Sequence, residues 1–218
     1  MPASAATVAP STSRGGLLTV PAITGIAYTV SWIAGLSAGA PSPKFHASGT
    51  ALVAAYSGQG AVTAANFVLT EGLPAAGLAI VAFFLARAAR GSGAVRAAWF
   101  AGLAGALAAA ISLTQCVLGL ALAGSSAPGT AHLLYEAVNR LDGIKMFALA
   151  VLAAAGVASR LLPRWLSYAG IALAISIVAS GVAYLLLIQS LAILAYVSGV
   201  LLLLFITATG VVLGRTGR

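Results

Sequence analysis

Long apolar stretches alternate with short polar breaks along the whole chain. Six runs stand out, at residues 17–36, 66–86, 97–123, 133–158, 166–187 and 191–213. Each has the length of about 20 residues that a helix needs to cross the hydrocarbon core of a bilayer. The last two form one nearly unbroken stretch, too long for a single crossing, and the polar pair Gln189-Ser190 predicts a tight hairpin inside it. Between the first two runs, Pro41, Pro43, Lys44 and His46 mark a loop, and the semi-apolar stretch from Ala51 to Tyr56 suits an interfacial or re-entrant helix. Residues 1–16 are Ala, Ser, Thr, Pro and Gly with the one charge Arg14, which predicts a disordered tail. The first run exceeds a signal-peptide core and Pro41 follows Ala38-Gly39-Ala40, so it is expected to be retained as a span. The predicted fold is all-α, a polytopic bundle of six transmembrane helices forming one domain over residues 17–214.

Composition strengthens this picture. Only 6% of the 218 residues are charged, against roughly 25% in a soluble domain, and 61% are hydrophobic, with a mean hydropathy of +1.07. The net charge of +8 comes from basic residues scattered between apolar runs, which excludes a nucleic-acid surface. A single cysteine, Cys116, excludes an intrachain disulfide, and with two histidines it falls short of a structural zinc site. Arg14, then Arg87, Arg90 and Arg96, then Arg160 and Arg164, then Arg215 and Arg218 occupy alternate loops or the tails, while the opposite loops hold only Lys44. The positive-inside rule then predicts both termini in the cytoplasm.

Two basic residues escape that rule, Arg140 and Lys145, and both lie within the fourth run near acids. The chain has three carboxylates, Glu71, Glu136 and Asp142, all toward the outer ends of the second and fourth spans. Counting back from the arginine turns puts Glu71 and Asp142 at matched depth, on the order of 5 Å below the interface, where they can share one cavity. At helical spacing Glu136 meets Arg140 and Asp142 meets Lys145. An isolated charge at mid-membrane costs roughly 2.5–3.5 kcal/mol, so the cluster must face the bundle interior, water or headgroups. A purely structural reading makes these two intrahelical pairs a tether at the interface, with Arg140 and Lys145 snorkelling outward. Ser31, Trp32, Asn66, Thr114, Gln115, Tyr184 and Tyr196 fall near the same level and are expected to line a pocket open to the outer leaflet, although Trp32, Tyr184 and Tyr196 also suit an interfacial aromatic belt. Spans two and three share with spans four and five the order acid, apolar helix, arginine pair and Trp, from Glu71 to Trp99 and from Glu136 to Trp165, a weak sign of duplication.

No aspartate-rich magnesium motif, P-loop, HExxH or CxxC is present, so no metal and no other cofactor is expected. From Asn139-Arg140-Leu141-Asp142 through Ser159-Arg160-Leu161-Leu162-Pro163-Arg164-Trp165-Leu166 to Gly181, the chain resembles small bacterial six-helix membrane proteins of uncharacterised function, in which Leu-Pro-Arg-Trp-Leu opens a helix after a basic turn. That resemblance implies a bacterial plasma membrane. More loosely, in size and in having a few buried acids, the chain is similar to small integral-membrane terpene cyclases, which implies protonation of an olefin or epoxide by membrane-embedded Glu or Asp.

Two classes of function follow. The first is an enzyme that cyclises a lipid-soluble isoprenoid by acid catalysis without a cofactor. Asp142 or Glu71, with Glu136 as a further candidate, supplies the proton; Asn139 and Lys145 orient it, Arg140 and Gln115 join them in binding substrate, and Trp32, Tyr184 and Tyr196 line the chamber and stabilise a carbocation. The second is a proton- or cation-coupled transporter or sensor, in which the acids bind the ion and two copies build the pathway, or a non-catalytic membrane subunit. In either class the partners are the bilayer and a lipid-soluble small molecule.

Overall fold

The computed structural model describes residues 19–216, and all of their regular structure is helical. The expected tail 1–16, with Arg14, lies outside the described residues, as does Arg218. The helices are α1 (Val20–Ser37), α2 (Gly49–Tyr56), α3 (Gly60–Phe67), α4 (Leu73–Gly91), α5 (Val95–Ala123), α6 (Pro128–Ala158), α7 (Arg164–Leu185) and α8 (Leu194–Thr216). A π-helical turn, Val68–Gly72, joins α3 to α4, so that 60–91 is one continuous rod. Six helices in this set are long and apolar enough to cross a membrane: α1, the α3–α4 rod, α5, α6, α7 and α8. The protein is an integral membrane helix bundle.

Local chemistry sets the boundaries. Pro21 and Pro128 sit in first turns, where a missing N–H costs nothing, and Pro163 caps α7. Ser48 caps α2 by accepting a hydrogen bond from Ala51 N–H. The expected interfacial helix is α2, and the hairpin expected at Gln189-Ser190 is a single 3₁₀ turn, Gln189–Leu191. Three boundaries move by five residues or more. The second span runs from Gly60 to Gly91 and not from residue 66 to 86, which carries Arg87 and Arg90 on α4 and not in a loop, and the fourth starts at Pro128 and not at residue 133, because helix continues through polar residues that hydropathy alone reads as loop. With 31 residues α6 is about 46 Å long, well beyond a hydrocarbon core of about 30 Å.

Consecutive spans pack side by side, α1 on α4, α4 on α5, α5 on α6, α6 on α7 and α7 on α8, and α8 returns to α1 to close the ring. The closure is polar and tight. Thr29 and Thr207 share a hydrogen bond of 2.7 Å, and Thr207 donates to Gly25 O at 3.0 Å. The core between the helices contains Leu78, Val81, Leu85, Leu149, Leu152, Leu173, Ile177, Phe205 and Ile206. A second small cluster, Leu52 and Tyr56 with Leu122, Ala131 and Tyr135, seats α2 over the ends of α5 and α6. Outward positions such as Leu103, Ile175 and Val200 are exposed and apolar, as a lipid-facing surface requires.

Alpha 6 and α7 touch through Gly143. A Cβ there would lie 2.6 Å from Leu185 N and 2.8 Å from Gly181 O, so no larger side chain fits without parting the helices. Gly143 stands between Asp142 and Lys145 in the charged stretch of α6. Gly143→Leu is therefore expected to lower the midpoint of thermal unfolding in detergent by many degrees, whereas Gly199→Leu, where nothing stands within 4 Å, leaves it nearly unchanged.

Candidate functional site

Glu71 belongs to the π-helical turn, in which Leu73 N–H reaches back to Val68 O. The physical cause lies three residues on from Glu71. Pro74 has no N–H to give to the carbonyl of residue 70, and the chain widens into a π turn just ahead of it. Thr70 Oγ1 donates to Asn66 O. Glu71 is buried in the bundle, 8% exposed.

Across from it, Lys145 projects from α6 and is 6% exposed. Its Nζ donates to Glu71 at 2.8 Å (Oε1) and 2.7 Å (Oε2), and lies 2.7 Å from Asp142 Oδ1 one turn back on its own helix. Gln115 of α5 completes the arrangement: its Nε2 donates to Val138 O at 3.0 Å and reaches Asp142 Oδ1 at 3.4 Å. Three helical rods thus meet at this cluster: the Lys145 ammonium of α6 binds Glu71 of the α3–α4 rod and Asp142 of its own helix, and Gln115 of α5 donates to Asp142. Gln115 is fully buried, and its Oε1 has no hydrogen-bond partner.

The charge of this group follows by counting. With every member ionised, two carboxylates and one ammonium sum to one negative charge in a site shielded from bulk water. The structural reading in which α6 satisfies its own charges is therefore corrected: the Asp142–Lys145 pair exists, but Lys145 is shared with Glu71 of another rod and does not snorkel outward. The other expected pair is a surface feature. Arg140 binds Glu136 at 2.6 Å and 2.8 Å, His132 approaches Glu136 at 3.8 Å, and Arg140 also donates to Leu185 O at 3.4 Å. Glu136 and Arg140 line neither cavity beside the triad. The suggested duplication accordingly matches two acids in unlike places, Glu71 inside the bundle and Glu136 on its surface.

Two adjoining cavities lie on this side of the bundle, and the inner one touches the triad. The inner one, about 80 Å³, touches Glu71, Asp142 and Lys145 together with Tyr28, Ser112 and Ser198. The outer one, about 620 Å³, lies beside the upper halves of α1 and α8, lined by Leu36 of α1 and Tyr196 and Val200 of α8. Trp32 and Tyr184 border both cavities, so the aromatic pair separates the charged end from the wider chamber. Tyr196 is 78% exposed and Val200 68%, which places the mouth on the lipid-facing side. Asn139 lines the outer cavity, and its amide nitrogen donates to Tyr135 O.

The α1–α2 loop closes the outer chamber from the end of the bundle. Phe45 N–H donates to Gln189 Oε1 at 2.8 Å, the Phe45 ring meets Tyr184 edge-on at 4.9 Å, and Tyr135 OH donates to Pro43 O. Lys44 borders this chamber too.

Of the polar residues expected around the pocket, Trp32, Tyr184, Tyr196 and Gln115 stand at the cavities or the triad. Ser31, Asn66 and Thr114 do not. Ser31 donates to Leu69 O, Asn66 to Gly35 O and Thr114 to Ala110 O, so they brace helices. Sequence reasoning passed over Tyr28 and Ser112, though each has a helical-spacing signal, one turn before Trp32 and before Gln115. Among the described residues no three His, Cys, Asp or Glu side chains converge on a metal-sized site. No protein-family model matches the chain, and no curated protein or solved structure matches it.

Removing the ammonium alone leaves two buried carboxylates facing each other. Lys145→Met is expected to cost about 3–5 kcal/mol of stability. Adding Glu71→Gln and Asp142→Asn to Lys145→Met should recover most of that loss, as read from unfolding midpoints in detergent.

Proposed function

We propose that the protein is a small proton- or cation-coupled membrane carrier in which the Glu71–Lys145–Asp142 triad is the coupling site. One observation supports this reading most: the triad sets two carboxyl groups against a single ammonium inside a membrane bundle, beside a cavity sized for a small cation or a few waters. Taking up one proton or one monovalent cation brings the group to zero, the state in which it crosses low-dielectric surroundings at least cost. The transported molecule enters from the membrane through the chamber between α1 and α8. Trp32, Tyr184 and Tyr196 offer aromatic faces there to a lipophilic organic cation, and the triad offers the charge.

Acid-catalysed cyclisation of an isoprenoid is a second reading, favoured by the same aromatic walls and by a chamber of about 620 Å³, the size of a small-molecule site. It asks Asp142 or Glu71 to give a proton to an olefin while sharing the Lys145 ammonium, and for that reason it ranks behind the carrier. The orientation that goes with both readings places the arginine turns and both termini in the cytoplasm of a bacterium. A cysteine introduced at Ser92 should then be protected from a membrane-impermeant thiol reagent in intact cells and one at Ser125 labelled, with Cys116 replaced by Ser. Labelling of Ser92 from outside would reverse the orientation.

Function is read by proteoliposomes adsorbed on a solid-supported electrode and challenged with pH steps and with a panel of alkylamines and quaternary ammonium ions. The wild type is expected to give a charge-displacement current with protons or with at least one of these cations. Glu71→Gln and Asp142→Asn should each abolish it while the protein remains monodisperse. A silent wild type that converts a prenylated substrate, detected by mass spectrometry, would move the assignment to the cyclase.

A further inference from the structure

At the end of the bundle opposite the triad, the outer face between α4 and α5 holds a groove of about 370 Å³. Arg87 and Arg90 stand at its rim, and Phe83, Trp99 and Leu103 form its walls. On α4, Phe83 precedes Arg87 by four residues and Arg90 by seven, so all three share a helix face. On α5, Trp99 and Leu103 are also one turn apart, and Gly102 between them leaves the floor open, a Cβ there meeting only Ala86 Cβ at 3.6 Å.

The charge in this groove is unmatched. Among the described residues every salt bridge involves Glu71, Glu136 or Asp142, and neither Arg87 nor Arg90 takes part in one. Arg90 lies over the Trp99 ring at 5.5 Å, which fixes its guanidinium at the groove. Phe83, Trp99 and Leu103 are 59%, 66% and 69% exposed, an apolar track leading away from the cations along the bundle into the hydrocarbon region. Cations at interface level above an apolar groove match one chemistry, a phosphate head with an acyl chain below it.

We infer that the α4–α5 groove is a binding site for an anionic phospholipid of the leaflet at the arginine end. Arg87 and Arg90 hold its phosphate by charge-assisted hydrogen bonds, and one acyl chain lies over Gly102 between Phe83 and Leu103. The site is separate from the triad and stands whether or not the carrier reading does.

The chain has three tryptophans, Trp32, Trp99 and Trp165, so Trp32→Phe, Trp165→Phe leaves Trp99 as a reporter within the groove. The variant, reconstituted in phosphatidylcholine vesicles, is titrated with brominated phosphatidylglycerol or brominated phosphatidylcholine, and quenching of Trp99 fluorescence gives the relative affinity. The expected preference for phosphatidylglycerol is on the order of ten-fold. Arg87→Gln, Arg90→Gln should reduce it to near unity, and Gly102→Leu, which keeps both charges but fills the floor, should reduce it comparably. A preference that survives in Gly102→Leu would show general attraction to an anionic surface and overturn the site. So would equal quenching by both lipids in the wild-type groove, or displacement of phosphatidylglycerol by inorganic phosphate, which would mark a free-anion site.

Discussion

An ammonium held between carboxylates from two helical rods, out of reach of bulk water, limits what the surrounding bundle can do. Lys145 fixes α6 against the α3–α4 rod, and Gln115 brings α5 to the same point. Each of these side chains would be costly to bury alone. Together they offset most of that cost, and the helices must stay in register for that to continue. The π turn at Val68–Gly72 and the Gly143 contact place Glu71 and Asp142 around Lys145, so two local irregularities of the backbone serve one electrostatic requirement.

The ends of the molecule have different chemistry for the same reason. All three carboxylates are at one end, which leaves Arg87 and Arg90 at the other without acidic partners among the described residues. At the acidic end the charges are matched to within one unit around the triad and closed over by the Phe45 loop. At the arginine end Arg87 and Arg90 are exposed on the outer face of the bundle. The ring closes at the seam between α1 and α8, tight at Thr29–Thr207 and bordered by the large chamber near Trp32 and Tyr196.

Much of this was legible in the sequence. Length and apolarity identified all six spans, and Gln189-Ser190 marked the last hairpin, because long stretches without charge have few alternatives. Spacing on one helix found the Asp142–Lys145 pair, and depth counting put Glu71 beside it. Which face of the second span Glu71 takes was not legible from helical periodicity, since the π turn ahead of Pro74 shifts the angular register of the helix. Nor does spacing separate Gln115, which turns inward to Asp142, from its neighbour Thr114, which bonds to its own helix. Choices of that kind depend on neighbouring helices that a single run does not specify.

A charge exchange tests most directly whether one lysine is shared between acids on two rods. Glu71→Lys should destabilise the bundle by placing two buried ammonium groups together, and Lys145→Glu by assembling three carboxylates. Combined, the two substitutions rebuild a lysine facing two acids across the same contact. Thermal unfolding followed by size-exclusion chromatography in detergent is expected to show each single variant largely aggregated and the double variant recovering a monodisperse, cooperatively unfolding protein. A double variant no more stable than the worse single one would contradict the shared ammonium as the contact that organises the bundle.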